Sequence, residues 1–258
     1  MGRFDDKEKA LDLNEKGIDL YEIERYEEAI ACFDEAIRLD PELSDAWQWK
    51  GMSLHLLDRY EEAIACFDES IRLDPELSDV WQWKGMSLKE LNRNEESIAC
   101  FDKDIRINPD SKYSWHYKGV ALYRLDRYEE AIACHDKSIS LDPELSDAWQ
   151  WKGISLHLLD RYEEAIACYD EVIAIEPELS DVHYNKGMSL HNLERYDEAI
   201  ACYNEAIKID PKEADTWIEK GNSLANLEKY DESIACYDKV VACYDEANWL
   251  DPDHDVES

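Results

Sequence analysis

The chain has 258 residues and a formal charge of −34, from 62 acidic against 28 basic side chains. Such a surface repels phosphate backbones and anionic lipid headgroups, which argues against nucleic acid or membrane as a partner and draws in basic ones. No apolar run approaches the roughly 20 residues that span a bilayer, and residues 1–9 are charged without a hydrophobic stretch, so neither a membrane anchor nor a secretory leader is expected.

The length fits one or two globular domains, but glycine shows another organisation. Gly17, Gly51, Gly85, Gly119, Gly153, Gly187 and Gly221 recur every 34 residues, and Pro41, Pro75, Pro109, Pro143, Pro177 and Pro211 keep the same period. The chain therefore reads as a lead-in over 1–9 followed by one array of repeats, at about 10–43, 44–77, 78–111, 112–145, 146–179, 180–213 and 214–258.

The first repeat offers Leu11, Leu13, Ile18 and Leu20, with little sequence ahead of it to act as a cap. The second shows the unit most clearly. Ser44 suits a helix N-cap, and Asp45 in the first turn complements the helix dipole. Trp47, Leu54 and Leu57 recur at helical spacing, and Leu57-Asp58-Arg59-Tyr60 closes the first helix. A second helix opens with Glu61 and Glu62, carries Ala63, Ile64, Phe67, Ser70 and Ile71 on one side, and stops at Asp74-Pro75. One such hairpin cannot cover its own apolar faces, but a stack of them can.

Repeats three and four are the least regular. Asn94 stands where other repeats have Tyr, Asp104 takes a small-residue position, and His135 replaces the ring of the second helix. Leu13 and His183 stand where the other repeats carry Trp. Repeats two and five differ at only six of 34 positions, which points to recent duplication or assembly from repeat modules. In the last repeat the block Ala235–Val241 is followed by a near copy, Ala242–Asn248, so Pro252 arrives seven residues late and the helix gains two turns. This adds Val240, Val241, Tyr244, Trp249 and Leu250 to an end of the array. With Leu11 and Leu13 at the other end, these residues are candidates for self-association. Head-to-tail contact of this kind builds open filaments unless it closes into a ring.

Seven of the eight cysteines, Cys32 to Cys236, hold one repeat position, and Cys243 follows by seven residues. Equivalent residues of stacked helices lie about 8–10 Å apart, beyond the roughly 7 Å that a disulfide allows. They read as packing residues, and free thiols in this number suit a reducing cytoplasm. The sequence has no glycine-rich phosphate loop, C-x-x-C, H-E-x-x-H or G-x-S-x-G. No enzyme, cofactor or metal site is therefore expected. His157 and His191 are neighbours that could meet a metal, but groove-lining hydrogen bonds are the simpler expectation.

The order Trp47, Gly51, Leu54, Ala63, Phe67, Ser70, Pro75 resembles the tetratricopeptide repeat, and the match covers about residues 10–252. Arg161–Asp170 is similar to archaeal and bacterial members. The resemblance implies an all-α fold: a right-handed superhelical solenoid of seven helix-turn-helix repeats with an extended C-terminal helix. It also implies a concave groove, lined by the first helices, that holds an extended or helical peptide. Carried over position by position, the groove residues are Gln48, Trp49, Met52 and His55; Gln82, Trp83 and Met86; His116, Tyr117 and Tyr123; Gln150, Trp151 and His157; and Tyr184 and His191. Trp49, Trp83, Tyr117 and Trp151 form an aromatic stripe, and Asp45, Asp79, Asp147, Asp181 and Asp215 form an acidic rim. An apolar floor with an acidic rim suits a protein or peptide partner that carries apolar or aromatic and basic side chains. Family members that clamp a peptide carboxylate use Lys, Asn and Arg here, so no such clamp is expected. The regular lysines, Lys50 to Lys220, precede the glycines and are expected to pair with nearby acids. The expected role is a protein-interaction scaffold, with end-to-end self-assembly as the alternative.

Overall fold

The computed structural model describes the backbone of residues 2–249 and the side chains of residues 6–241 and 243. Among these residues every regular element is an α-helix, and the helices pair into hairpins. They run α1 (Gly2–Glu22) with α2 (Tyr26–Leu39), α3 (Ser44–Leu56) with α4 (Tyr60–Leu73), α5 (Ser78–Glu90) with α6 (Asn94–Ile107), and α7 (Lys112–Tyr123) with α8 (Tyr128–Leu141). Then come α9 (Ser146–Leu158) with α10 (Tyr162–Ile175), α11 (Ser180–Asn192) with α12 (Tyr196–Ile209), and α13 (Ala214–Asn226) with α14 (Tyr230–Trp249). The hairpins gather into two compact units, Met1–Leu141 and Asp142–Ser258.

Within each unit every helix packs on its hairpin partner, and every helix except the last of the unit, α8 or α14, also packs on a neighbouring hairpin. First helices also touch the next first helix: α1 to α3, α3 to α5 and α5 to α7 in the first unit, α9 to α11 and α11 to α13 in the second. Among the described residues no second helix touches the next second helix. Each stack therefore bends with its first helices on the inside.

The periodic glycines account for the closeness of each hairpin. Phe33, Phe67, Phe101, His135, Tyr169 and Tyr203 are wholly buried, each against the glycine of its own repeat. The turn between the two helices is equally regular. Glu24, Asp58, Asn92, Asp126, Asp160, Glu194 and Glu228 all take a left-handed conformation, with φ between 56° and 60°. In the second repeat the Arg59 amide donates to Leu54 O at 2.9 Å and the Asp58 amide to His55 O at 3.0 Å. This is the Schellman closure of a helix, made with a residue other than the usual glycine.

The connection between repeats is also fixed. The Trp47 indole donates to Pro41 O at 3.1 Å, and Trp81, Trp115, Trp149 and Trp217 bond in the same way to Pro75, Pro109, Pro143 and Pro211. His183, the departure in repeat six, keeps this bond through Nε2, 3.0 Å from Pro177 O.

One expectation needs correction. Ser44 does not cap α3: it is the first helical residue, Leu43 holds the cap position, and no side chain caps the helix. The backbone does the work instead, through Ala46 N donating to Leu43 O at 3.2 Å. The C-terminal helix is extended as expected, 20 residues against 14 for α12. The Cys243 thiol lies 3.7 Å from Pro211 O, which ties the added turns back onto the segment that leads into α13.

Candidate functional site

The inner face of each stack is built from residues one turn into the first helices. Their partners lie on the preceding first helix. Trp49 sets its ring edge-on against Tyr21, with centroids 5.1 Å apart, and Trp83 does the same against His55 at 5.1 Å. Tyr117 receives the Lys89 ammonium over its face at 5.3 Å and stacks on Phe101 at 6.0 Å. Trp49, Trp83, Tyr117, Trp151 and Tyr184 are all partly buried, as are Gln48, Gln82 and Gln150 beside them. Trp49 and Trp83 thus rest against the preceding repeat of their own unit and keep part of their surface open. Met86 and Ile154 are also partly buried, whereas Met52 lies in the core at 9% exposure.

The histidines serve as joints. His55 Nδ1 lies 2.9 Å from Ser87 Oγ, His157 Nδ1 lies 2.8 Å from Ser189 Oγ, and His191 Nδ1 lies 2.7 Å from Ser223 Oγ. Ser87 donates its own hydrogen to Trp83 O at 3.0 Å and Ser189 donates to Asn185 O at 3.1 Å. Those serines therefore accept, which assigns the Nδ1–H tautomer to His55 and His157. Burial holds both imidazoles below the ordinary histidine range, so they are neutral at neutral pH.

His116 is a correction to the groove assignment. It is buried to 5% exposure, 5.4 Å from the His135 ring and 5.1 Å from Tyr117, with no hydrogen-bond partner at Nδ1 among the described residues. Burial, reinforced by the nearby Lys89 charge, pushes its pKa down to about 4. It belongs to the core of repeat four, where the small imidazole of His135 stands in the place of a larger ring. Tyr123 is partly buried and tilts onto Tyr128 at 5.6 Å.

Asp45, Asp79, Asp147, Asp181 and Asp215, expected at the rim, are exposed. Four of the regular lysines, Lys50, Lys84, Lys118 and Lys186, pair with acids of the preceding helix. Lys50 pairs with Asp34 at 2.6 Å, Lys84 with Asp68 at 2.5 Å and Lys118 with Asp102 at 2.6 Å, and each also lies over a tryptophan ring. The thiols of Cys66, Cys100 and Cys134 are buried, unpaired and pushed up to about 11 by burial, which makes them unreactive packing groups. Among the described residues no three His, Cys, Asp or Glu side chains are grouped to hold a metal, and no helix is long and apolar enough to cross a membrane.

At the ends of the array, Leu11 is 56% exposed and Val241 is 60% exposed, while Leu13 and Val240 are partly buried. The side chains of Tyr244 and Trp249, and all of Leu250, lie outside the described residues. Sequence reasoning passed over Tyr21. Its signal was an aromatic at the His55 position of the first repeat, where it becomes the resting place of Trp49.

Sequence models described as tetratricopeptide repeat match residues 14–78, 78–111, 113–145, 180–213 and 202–235, and one described as TPR repeat matches 153–194. Among solved structures, YrrB, described as a TPR protein with an unusual peptide-binding site, is 21% identical. The alignment covers 70% of this chain and 93% of YrrB, with a TM-score of 0.62. The type IV pilus biogenesis factor PilW is 18% identical over 78% of this chain and 94% of its own, with a TM-score of 0.70. MamA from Desulfovibrio magneticus RS-1 is 20% identical over 66% of this chain and 96% of its own, with a TM-score of 0.63. At these identities the likeness speaks for the fold alone. No functionally curated protein matches the chain.

Proposed function

We propose that this chain, which belongs to the tetratricopeptide repeat family, is a non-catalytic scaffold that holds a peptide or helix of a partner protein on the inner faces of its first helices. The observation that carries the reading is the placement of Trp49, Trp83 and Tyr117. Trp49 and Trp83 are braced by rings of the preceding first helix and stay partly open beside partly open glutamines, and Tyr117 is braced by Lys89 of its preceding first helix and stays partly open. Braced aromatic side chains lose little entropy when a partner docks, which is why such residues dominate binding surfaces. The rim acids favour a partner with Lys or Arg flanking its apolar anchors. YrrB supports the reading to the extent that a protein of this fold carries a peptide-binding site. Free, buried thiols fit a cytoplasmic setting. A peptide array scanned with the intact chain tests the proposal. Binding concentrated in peptides that combine aromatic and basic residues supports it, and an array with no selective binder contradicts it.

A second reading, end-to-end self-assembly, has an observation of its own. α14 presents Tyr230, Ile234, Tyr237 and Val241 along one stripe, at 61%, 58%, 38% and 60% exposure. Ile30, Ile64 and Ile166, at the repeat position of Ile234, are only 8–9% exposed because the next hairpin of their own unit covers them. Light scattering across a wide concentration range decides this reading. Growth in mass that is lost in Ile234→Glu/Val241→Glu supports it, and a constant monomer mass overturns it.

A further inference from the structure

In the second unit a cavity of about 320 Å3 opens between α9, α11 and α13. Gln150 and Ile154 form its α9 side, Tyr184 and Asn185 its α11 side, and the exposed acids Asp181, Glu213 and Asp215 complete its lining. Among the described residues no basic side chain lines the cavity, and none of these three carboxylates takes part in an ion pair. The lysines of the same helices are held elsewhere: Lys186 bonds to Asp170 at 2.5 Å, Lys152 lies over the Trp149 ring at 5.3 Å, and Lys220 over Trp217 at 5.1 Å.

The tyrosines report the resulting field. Burial first, and then Glu219, Asp215 and Glu213, push the Tyr184 phenol up to about 12. Directly behind it, with ring centroids 6.2 Å apart, lies Tyr203. Tyr203 is fully buried, and among the described residues its hydroxyl oxygen has no hydrogen-bond partner of good geometry, although Ser223 is close by. Burial, Glu219 and Tyr184 raise the Tyr203 phenol as well, so both rings keep their protons. The cavity thus combines one aromatic face, two amide side chains and three carboxylates outside any ion pair, with the buried Tyr203 ring packed on the aromatic wall rather than lining the cavity.

We propose that this cavity receives the guanidinium of an arginine side chain of the bound partner, an assignment that rests on the scaffold reading above. A guanidinium is planar, so it can lie against the Tyr184 ring while donating from its edge to carboxylate and amide oxygens. It is also less strongly hydrated than an ammonium, which lowers the cost of bringing it to a partly enclosed site. The volume lies at the lower end of the range for ligand pockets, about 300–1,000 Å3, and suits one long side chain rather than a helix.

The test is a chemical-shift titration of the isotope-labelled full chain with N-acetyl-arginine amide, using the citrulline and lysine analogues as controls. The proposal expects saturable shifts focused on Asn185 and the Tyr184 ring, about tenfold weaker affinity for neutral citrulline, and loss of the response in Asp181→Asn/Asp215→Asn with unchanged circular dichroism. Citrulline or lysine binding as well as arginine, shifts scattered over the acidic surface, or an unchanged response in the double variant would each overturn it. Two outcomes separate this inference from the scaffold reading. If arginine amide binds in the cavity while no peptide binds the first-helix faces, the scaffold reading falls. If a peptide binds at Trp83 and ignores Asp181 and Asp215, the cavity assignment falls.

Discussion

A β-carbon added to Gly51 would stand 2.5 Å from Cε1 of Phe67, closer than any real contact. The ring and the missing side chain define each other, and the same relation recurs from Gly17–Phe33 to Gly221–Tyr237. Gly51→Ala gains about 1 kcal/mol of helix propensity, but forcing a methyl group into a filled core costs about 1–3 kcal/mol. The clash wins, so the variant is expected to be less stable in urea unfolding. Phe67→Leu alone is also destabilising, and the double variant should be more stable than the sum of the singles predicts. Strict additivity would mean that the contact does not constrain the hairpin.

Glu194 closes its hairpin with φ at 58°, a conformation that costs a residue with a β-carbon about 1–2 kcal/mol relative to glycine. It lies past the end of α11, so glycine there brings no penalty for a helix interior. Glu194→Gly is therefore expected to raise the melting temperature, with a gain on the order of 1 kcal/mol. Asp58→Gly should gain less, because the Tyr60 hydroxyl donates to Asp58 at 2.6 Å and that bond would be lost. A fall in melting temperature for Glu194→Gly would show that the glutamate side chain contributes something this account omits.

Much of the fold was legible because one period governs glycine, proline and the ring residues together. The seven-residue insertion kept its apolar phase, so the longer last helix was legible too. The turn residues were only partly legible: Asp58 and Asn92 are of the types that tolerate a left-handed backbone, but Glu194 is not, and only its position in the repeat places it there. His116 was misplaced for a related reason. Its register matches Gln48 and Gln82, and what buries it is a substitution elsewhere, His135 in the ring position, which becomes a neighbour only after folding. The cavity around Tyr184 was out of reach because it depends on which way the lysines of three helices turn.

His116 makes a prediction about pH. Its folded pKa of about 4 lies below the ordinary value of 6.5, so the unfolded chain binds the proton more readily. The stability this contributes is fully present above pH 6.5, falls as the pH drops toward 4, and is absent below that. At about 1.4 kcal/mol per unit the loss is on the order of 3 kcal/mol. Protonating surface carboxylates relieves the −34 charge and works in the opposite direction, so the comparison must be with His116→Leu. Between pH 7 and pH 4.5 the denaturant midpoint of the parent should fall relative to that of His116→Leu. A constant gap would remove His116 from the acid response.

The central claim is that the inner rings are braced for a partner rather than consumed by the core. Trp83 tests it best, since it leans on His55 and is still partly open. The decisive measurement is isothermal titration of an array-selected peptide against the intact chain and Trp83→Ala, with the thermal melt of both recorded alongside. At least about a tenfold loss of affinity is expected, as for an aromatic anchor, with helicity kept and only a few degrees lost on melting. A variant that binds the peptide as well as the parent, or that unfolds outright, would contradict it.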